Sequence, residues 1–273
     1  MCYGEKLKRH LADFKCRELA IGRPGVYRHR GTDYSYHHIL PSPHEDQVFT
    51  AEARPAAMEF LARHPGKRHR YVHHLNSSQA FAFNLFFPYF SGPPEAAAAL
   101  LRSLGQGGPL VAWEPEAVPD AEEESNIDMT WLGADGVRTF CEVKLTEGDF
   151  GKAADDERHR AKLAGIYGGV LRGHLRPELL EAPAFFAGYQ FYRNLWHAAR
   201  VERSRLLFLL PRANIRLWEI LAGLLSGVLP ATLERVTAVA MEDVIGTLEA
   251  DGLCPAPHRE YARKLRARYI PAN

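Results

Sequence analysis

Asn126-Ile-Asp-Met-Thr-Trp-Leu132, Gly133-Ala-Asp-Gly136 and Val137-Arg-Thr-Phe-Cys-Glu-Val-Lys-Leu145 follow one another near the middle of a 273-residue chain. The outer two segments read as strands. The segment between them, with glycine at both ends and an aspartate inside, is turn chemistry, so the stretch predicts a β-hairpin. Side chains two apart on a strand share a face, so Glu142 and Lys144 project together while Cys141 and Val143 point the other way. The register of the hairpin decides what Asp128 meets. A three-residue loop or a bulge sets Asp128 directly across from Glu142, and a two- or four-residue loop sets it across from Cys141.

Two carboxylates that converge repel each other unless a cation lies between them. Hard oxygen ligands of this kind suit Mg²⁺ or Mn²⁺. The plainer alternative is an exposed hairpin on which Glu142 and Lys144 are simply solvated.

Outward from the hairpin the pattern changes. Upstream, Leu110 to Glu114 reads as a strand. Asn76-Ser-Ser78 looks like a helix cap, and the following Gln79-Ala-Phe-Ala-Phe-Asn-Leu-Phe-Phe87 is apolar nearly all round, which predicts a buried helix ended or kinked by Pro88. Gln79 and Asn84 interrupt that helix and are read as buried amides that satisfy neighbouring backbone groups. Thr50 opens an earlier helix that His64-Pro65-Gly66 ends. Glu5 to Leu19 forms a basic helix, and Tyr27 to Pro43 looks irregular.

Downstream, Ala184 to Val201 predicts one aromatic-rich helix. Arg205 to Pro211 is a short apolar run typical of a strand buried on both faces. Ile215 to Leu225 predicts a helix, Val236 to Val244 a further strand, and Arg259 to Tyr269 a basic terminal helix.

Helix, three strands, helix and strand, with Asp128 on the second strand and Glu142-x-Lys144 on the third, resembles the PD-(D/E)XK nuclease superfamily with its restriction-endonuclease-like fold. Leu75 to Phe86, Glu142 to Glu147 and Tyr189-Gln190 resemble a bacterial restriction-endonuclease subfamily. Together the resemblances cover roughly residues 70 to 215. They imply an α/β fold with an αβββαβ core, its mixed central sheet flanked by helices, and helical additions at both ends.

The implied organisation is a single domain: a basic, His-rich extension over 1–75, a nuclease core over 76–215, and a C-terminal α/β part over 216–273. In that reading Asp128, Glu142 and the carbonyl of Val143 hold Mg²⁺ or Mn²⁺, Lys144 assists, and Gln190 stands where relatives carry a helical glutamine. Tyr192 follows Gln190 by two residues, where relatives place a tyrosine three or four on, and Asn126-Ile replaces the usual proline before Asp128. The acid that relatives often carry on the first core helix has no counterpart in 76–94. Glu124 is a candidate substitute, in a Glu122-Glu-Glu124 run that otherwise reads as a solvated loop.

The implied function is divalent-metal-dependent hydrolysis of DNA phosphodiesters of the restriction or genome-defence type. The alternative is a nucleic-acid-binding module of the same fold that does not cleave. By analogy with enzymes that cut both strands, a homodimer is the expected assembly.

Composition is compatible with this. At 46% hydrophobic and 25% charged residues, a disordered chain, a collagen-like fibre and a small disulfide scaffold are excluded. The net charge of +1 hides a polarised chain: residues 1–75 carry +5, 95–150 carry −9 and 151–273 carry +5. The acidic middle suits a cation and the basic flanks suit phosphates. Basic clusters lie at His64 to His74, at Arg158 to Arg176 and at Arg259 to Arg268. His69 and His73 have the spacing of two ligands on a helix turn, without a marked third. Four widely spaced cysteines with no CxxC pair, and an N-terminus without an apolar run, predict a reduced, soluble, cytoplasmic protein with no membrane span.

Overall fold

The computed structural model describes residues 2–271 and divides into two compact units, Met1–Leu110 with Met241–Asn273, and Val111–Ala240.

The first unit is mainly helical. Tyr3–Glu18, Arg54–Arg63, Ser78–Phe90, Pro94–Ser103, Met241–Ala250 and Ala256–Tyr269 are its longer helices. Ser78–Phe90 is buried almost all round, as its composition predicts, and continues through Pro88 to Phe90. Ser77 caps it by accepting from the Ala80 N–H. Its two amides satisfy backbone groups: Gln79 accepts from the His69 N–H and donates to the Lys67 carbonyl, while Asn84 accepts from the Thr50 N–H and donates to the Val48 carbonyl.

Two expectations fail. The stretch expected to be irregular contains an antiparallel hairpin, β1 (Gly25–His29) and β2 (Thr32–Tyr36). Its two-residue turn, Arg30-Gly31, has positive φ at both positions, the geometry that matches hairpin twist. The strand expected over Val236 to Val244 stops at Ala240, and Met241 starts a helix.

The second unit is a mixed α/β layer. Its five strands are β3 (Leu110–Ala117), β4 (Ile127–Gly133), β5 (Arg138–Val143), β6 (Ser204–Leu210) and β7 (Val236–Ala240), in that spatial order. β4 and β5 are antiparallel, and β5, β6 and β7 run parallel. Thr139 to Val143 of β5 and Leu206 to Leu210 of β6 are buried without alternation, which marks strands covered on both faces.

The helices Tyr189–Ala199 and Ile215–Leu225 lie in the crossovers that carry the chain from β5 to β6 and from β6 to β7. The aromatic helix expected over Ala184 to Val201 is two helices, Ala182–Ala187 and Tyr189–Ala199. The break is at Gly188, where a Cβ would lie 2.5 Å from Leu224 Cδ2. Among the described residues no helix is long and apolar enough to cross a membrane, and all four cysteines are free thiols.

Candidate active site

The hairpin takes the register that brings the acids together. Gly133 N–H donates to the Val137 carbonyl at 3.1 Å and closes a three-residue loop, with Gly136 at φ +76°. Met129 pairs with Cys141, so one step further along the same register Asp128 stands opposite Glu142. Asp128 Oδ2 accepts from the Val143 N–H at 2.7 Å, which ties the carboxylate to the strand carrying the Glu-x-Lys pair.

Glu142 and Lys144 are not solvated. They are 2% and 6% exposed, which removes the exposed-hairpin alternative. The Lys144 ammonium lies 2.7 Å from Glu142 Oε1. Helix Tyr189–Ala199 covers the same face and adds two amides. Gln190 accepts from Lys144 Nζ at 2.6 Å and donates to Glu142 Oε1 at 2.7 Å. Asn194, one turn later and fully buried, donates to Glu142 Oε2 at 2.7 Å. An ionised lysine only donates and an ionised carboxylate only accepts, so the bridge between them requires a side chain with both functions, and an amide has both.

Gly151 makes room for that bridge. Its φ is +66°, and a Cβ there would stand 3.1 Å from both Cβ and Oε1 of Gln190. The break at Gly188 sets Gln190 in the first turn of its helix, beside Glu142. Gln190 thus joins the three residues expected together, despite the displaced tyrosine.

A further acid adds to the negative charge around Asp128. Glu124 is exposed. The acid that acts on Asp128 besides Glu142 is Glu116, on β3, which is 1% exposed, holds a left-handed φ of +50° and accepts from Asn126 Nδ2 at 3.0 Å. Strained non-glycine backbone of this kind persists where surrounding structure enforces it, often at functional sites. Burial first, then the charges of Glu142 and Glu116, push the Asp128 carboxyl well above its ordinary pKa. Burial alone would lower the Lys144 ammonium, but Glu142, Glu147 and Asp128 outweigh it and raise its pKa.

A second buried polar cluster lies at the other end of the same helix. Glu123, from the middle of the run expected to be solvated, is 3% exposed. Its carboxylate accepts from Tyr167 Oη at 2.6 Å and from Ser125, and His197 Nε2 stands 3.5 Å away. Burial pushes the Glu123 carboxyl up, yet hydrogen bonds from His197, Ser125 and Tyr167 overcome it and hold its pKa at about 2.

The carboxylates of Asp128 and Glu142 offer oxygen ligands, which fits a hard divalent cation in kind. Among the described residues no three His, Cys, Asp or Glu side chains stand in a metal-holding arrangement, so a site here would draw on two carboxylates and backbone or solvent oxygen. His73 falls in a turn and His69 in the irregular stretch before it, so the two do not share a helix. The terminal basic cluster is occupied structurally: Arg263 bonds to Glu260, Lys264 to Glu52, Arg266 to Glu249, and Arg268 to the Val48 carbonyl.

Asp128, half-buried on β4, and the buried Glu142 and Lys144 at the carboxyl end of the central strand β5 lie side by side in this mixed α/β sheet, with the helical Gln190 bonded to Glu142 and Lys144. The chain belongs to the family described as restriction endonuclease associating with ARP, which matches residues 8–270. Neither a curated protein nor a solved structure matches it.

Proposed function

We propose that the Val111–Ala240 unit carries a divalent-metal-dependent nuclease centre of the restriction-endonuclease-like core type that hydrolyses DNA phosphodiester bonds. The observation that carries this reading is the register that sets Asp128 opposite Glu142, with Lys144 ion-paired beside them. Asp128, Glu142 and the Val143 carbonyl would hold Mg²⁺ or Mn²⁺. When bound, the cation would polarise a phosphodiester and lower the pKa of a coordinated water.

The chain's own residues supply the rest. Lys144 orients the attacking water or stabilises charge developing at phosphorus. Its raised pKa keeps it an ammonium at neutral pH. Gln190 fixes the Lys144 and Glu142 heads relative to each other, and Asn194 holds the second oxygen of Glu142. DNA is the proposed substrate, genome defence the proposed context and a homodimer the proposed assembly.

A second reading, a nucleic-acid-binding module without cleavage, is favoured by one observation: Glu142 already accepts from Lys144, Gln190 and Asn194. Nicking of supercoiled plasmid in Mg²⁺ or Mn²⁺ separates the two. Cleavage that is lost in both Glu142→Ala and Lys144→Ala, with both variants folded, supports the nuclease. Cleavage unchanged in both variants refutes the site, and no cleavage by the parent protein favours the binding module.

A further inference from the structure

The hairpin β1–β2 is short of aliphatic side chains and rich in rings. Tyr27 pairs with Tyr34 and Gly25 with Tyr36, so Tyr27, Tyr34 and Tyr36 share one face. That face is not spent on the core: Tyr34 and Tyr36 are 41% and 43% exposed. It borders a pocket of about 520 Å³ whose walls include Tyr27, Tyr36, His38, Tyr71 and His74, with Lys8 at its edge. The volume is within the roughly 300–1,000 Å³ of ordinary ligand pockets.

The walls are flat π surfaces. Tyr71 meets the Tyr27 ring edge-on at 4.8 Å between centroids, and Tyr36 lies 5.5 Å from His38. The His74 ring forms part of the wall, with its Nε2 buried away from solvent. Burial, and then neighbouring charges, hold His38 at about 4 and His74 at about 3, so both imidazoles are neutral near pH 7. The lining holds one carboxylate, Glu5, and one ammonium, Lys8; Arg70 stacks over Tyr71 beside it, and residues 1–75 as a whole carry +5.

We propose that this pocket receives an unpaired nucleobase presented by a DNA strand, the base lying against the Tyr and His rings while Lys8 and Arg70 draw in the phosphates. A flat heteroaromatic ring matches the flat ring walls. A strand, rather than an uncharged aromatic, matches the charge around them. The proposal goes beyond the nuclease reading and does not depend on metal or cleavage.

The test is equilibrium binding of the full chain, in EDTA, to a fluorescein-labelled single-stranded oligonucleotide and to an abasic strand of equal length and charge. Base–aromatic stacking predicts roughly five- to 150-fold weaker binding of the abasic strand, with a similar loss for Tyr36→Ala on the natural strand. Tyr36→Phe keeps the ring and should bind as the parent does. Tyr71→Ala tests the opposite wall, with circular dichroism verifying that each variant is folded. Working in EDTA, where no divalent cation can bind, separates this pocket from the proposed nuclease centre. Equal affinity for natural and abasic strands, or no effect of Tyr36→Ala and Tyr71→Ala, overturns the proposal. Free deoxynucleotides binding as tightly as the strand also overturn it, since Lys8 and Arg70 would then contribute nothing.

Discussion

Replacing Lys144 by methionine isolates the electrostatics of the buried acids. Methionine keeps much of the volume and removes the charge. In the native protein the ammonium is nearly buried, 2.7 Å from a carboxylate that is itself buried, and its pKa is raised despite that burial. The attraction of Glu142, Glu147 and Asp128 therefore exceeds the desolvation cost. Removing one partner of a buried pair leaves the other charge uncompensated and costs about 3–5 kcal/mol, more than a hundredfold in the folding equilibrium. Removing both partners costs less, because two buried charges disappear together.

Lys144→Met is therefore expected to lose about 3–5 kcal/mol, while Lys144→Met with Glu142→Gln should be the more stable of the two variants. Urea unfolding in EDTA, followed by tryptophan fluorescence, reads this directly. Trp113, Trp131, Trp196 and Trp218 all lie in the Val111–Ala240 unit, so the signal reports the unit that holds the site. A loss below about 1 kcal/mol for the single variant, the range of an exposed pair, or a double variant less stable than the single, refutes the account of a mutually compensated buried set.

Gly151→Ala should destabilise the protein by about 1–2 kcal/mol, the cost of left-handed backbone at an alanine; it should also slow plasmid nicking by displacing Gln190, and wild-type nicking would contradict the role given to that contact. Glu123 gives a pH dependence of known sign. Its folded pKa of about 2 lies below the ordinary 4.5, so its stabilisation is complete above about pH 4.5 and is lost as pH falls toward 2. The full difference is about 3 kcal/mol. Glu123→Gln should flatten that part of the stability–pH curve in urea titrations, and an unaltered acid limb would contradict the assignment.

Local pattern carried much of the fold. The hairpin 126–145 and the buried strand Ser204–Leu210 were legible because period-two alternation and a short unbroken apolar run each specify a strand, and the uncharged run around Gln79 and Asn84 specifies a buried helix. The register that joins Asp128 to Glu142 was open between two loop lengths, and only the closed three-residue loop selects one.

Other features depend on tertiary approach. Asn194 reads as one polar residue on an aromatic helix until that helix is packed against β5. Glu116 reads as one of many acids until the fold buries it within electrostatic reach of Asp128. The hairpin β1–β2 was missed because rings against rings, rather than alternating aliphatics, hold its face. The strand expected past Ala240 failed because β-branched residues continue into the first turns of the helix Met241–Ala250.

The central claim is that Asp128 and Glu142 hold a divalent cation. Anomalous diffraction from crystals grown with Mn²⁺ tests it most directly. The account predicts a peak roughly 2.1 Å from oxygens of both carboxylates, with the Val143 carbonyl among its neighbours. Crystals saturated with Mn²⁺ that show no peak between Asp128 and Glu142 would contradict it.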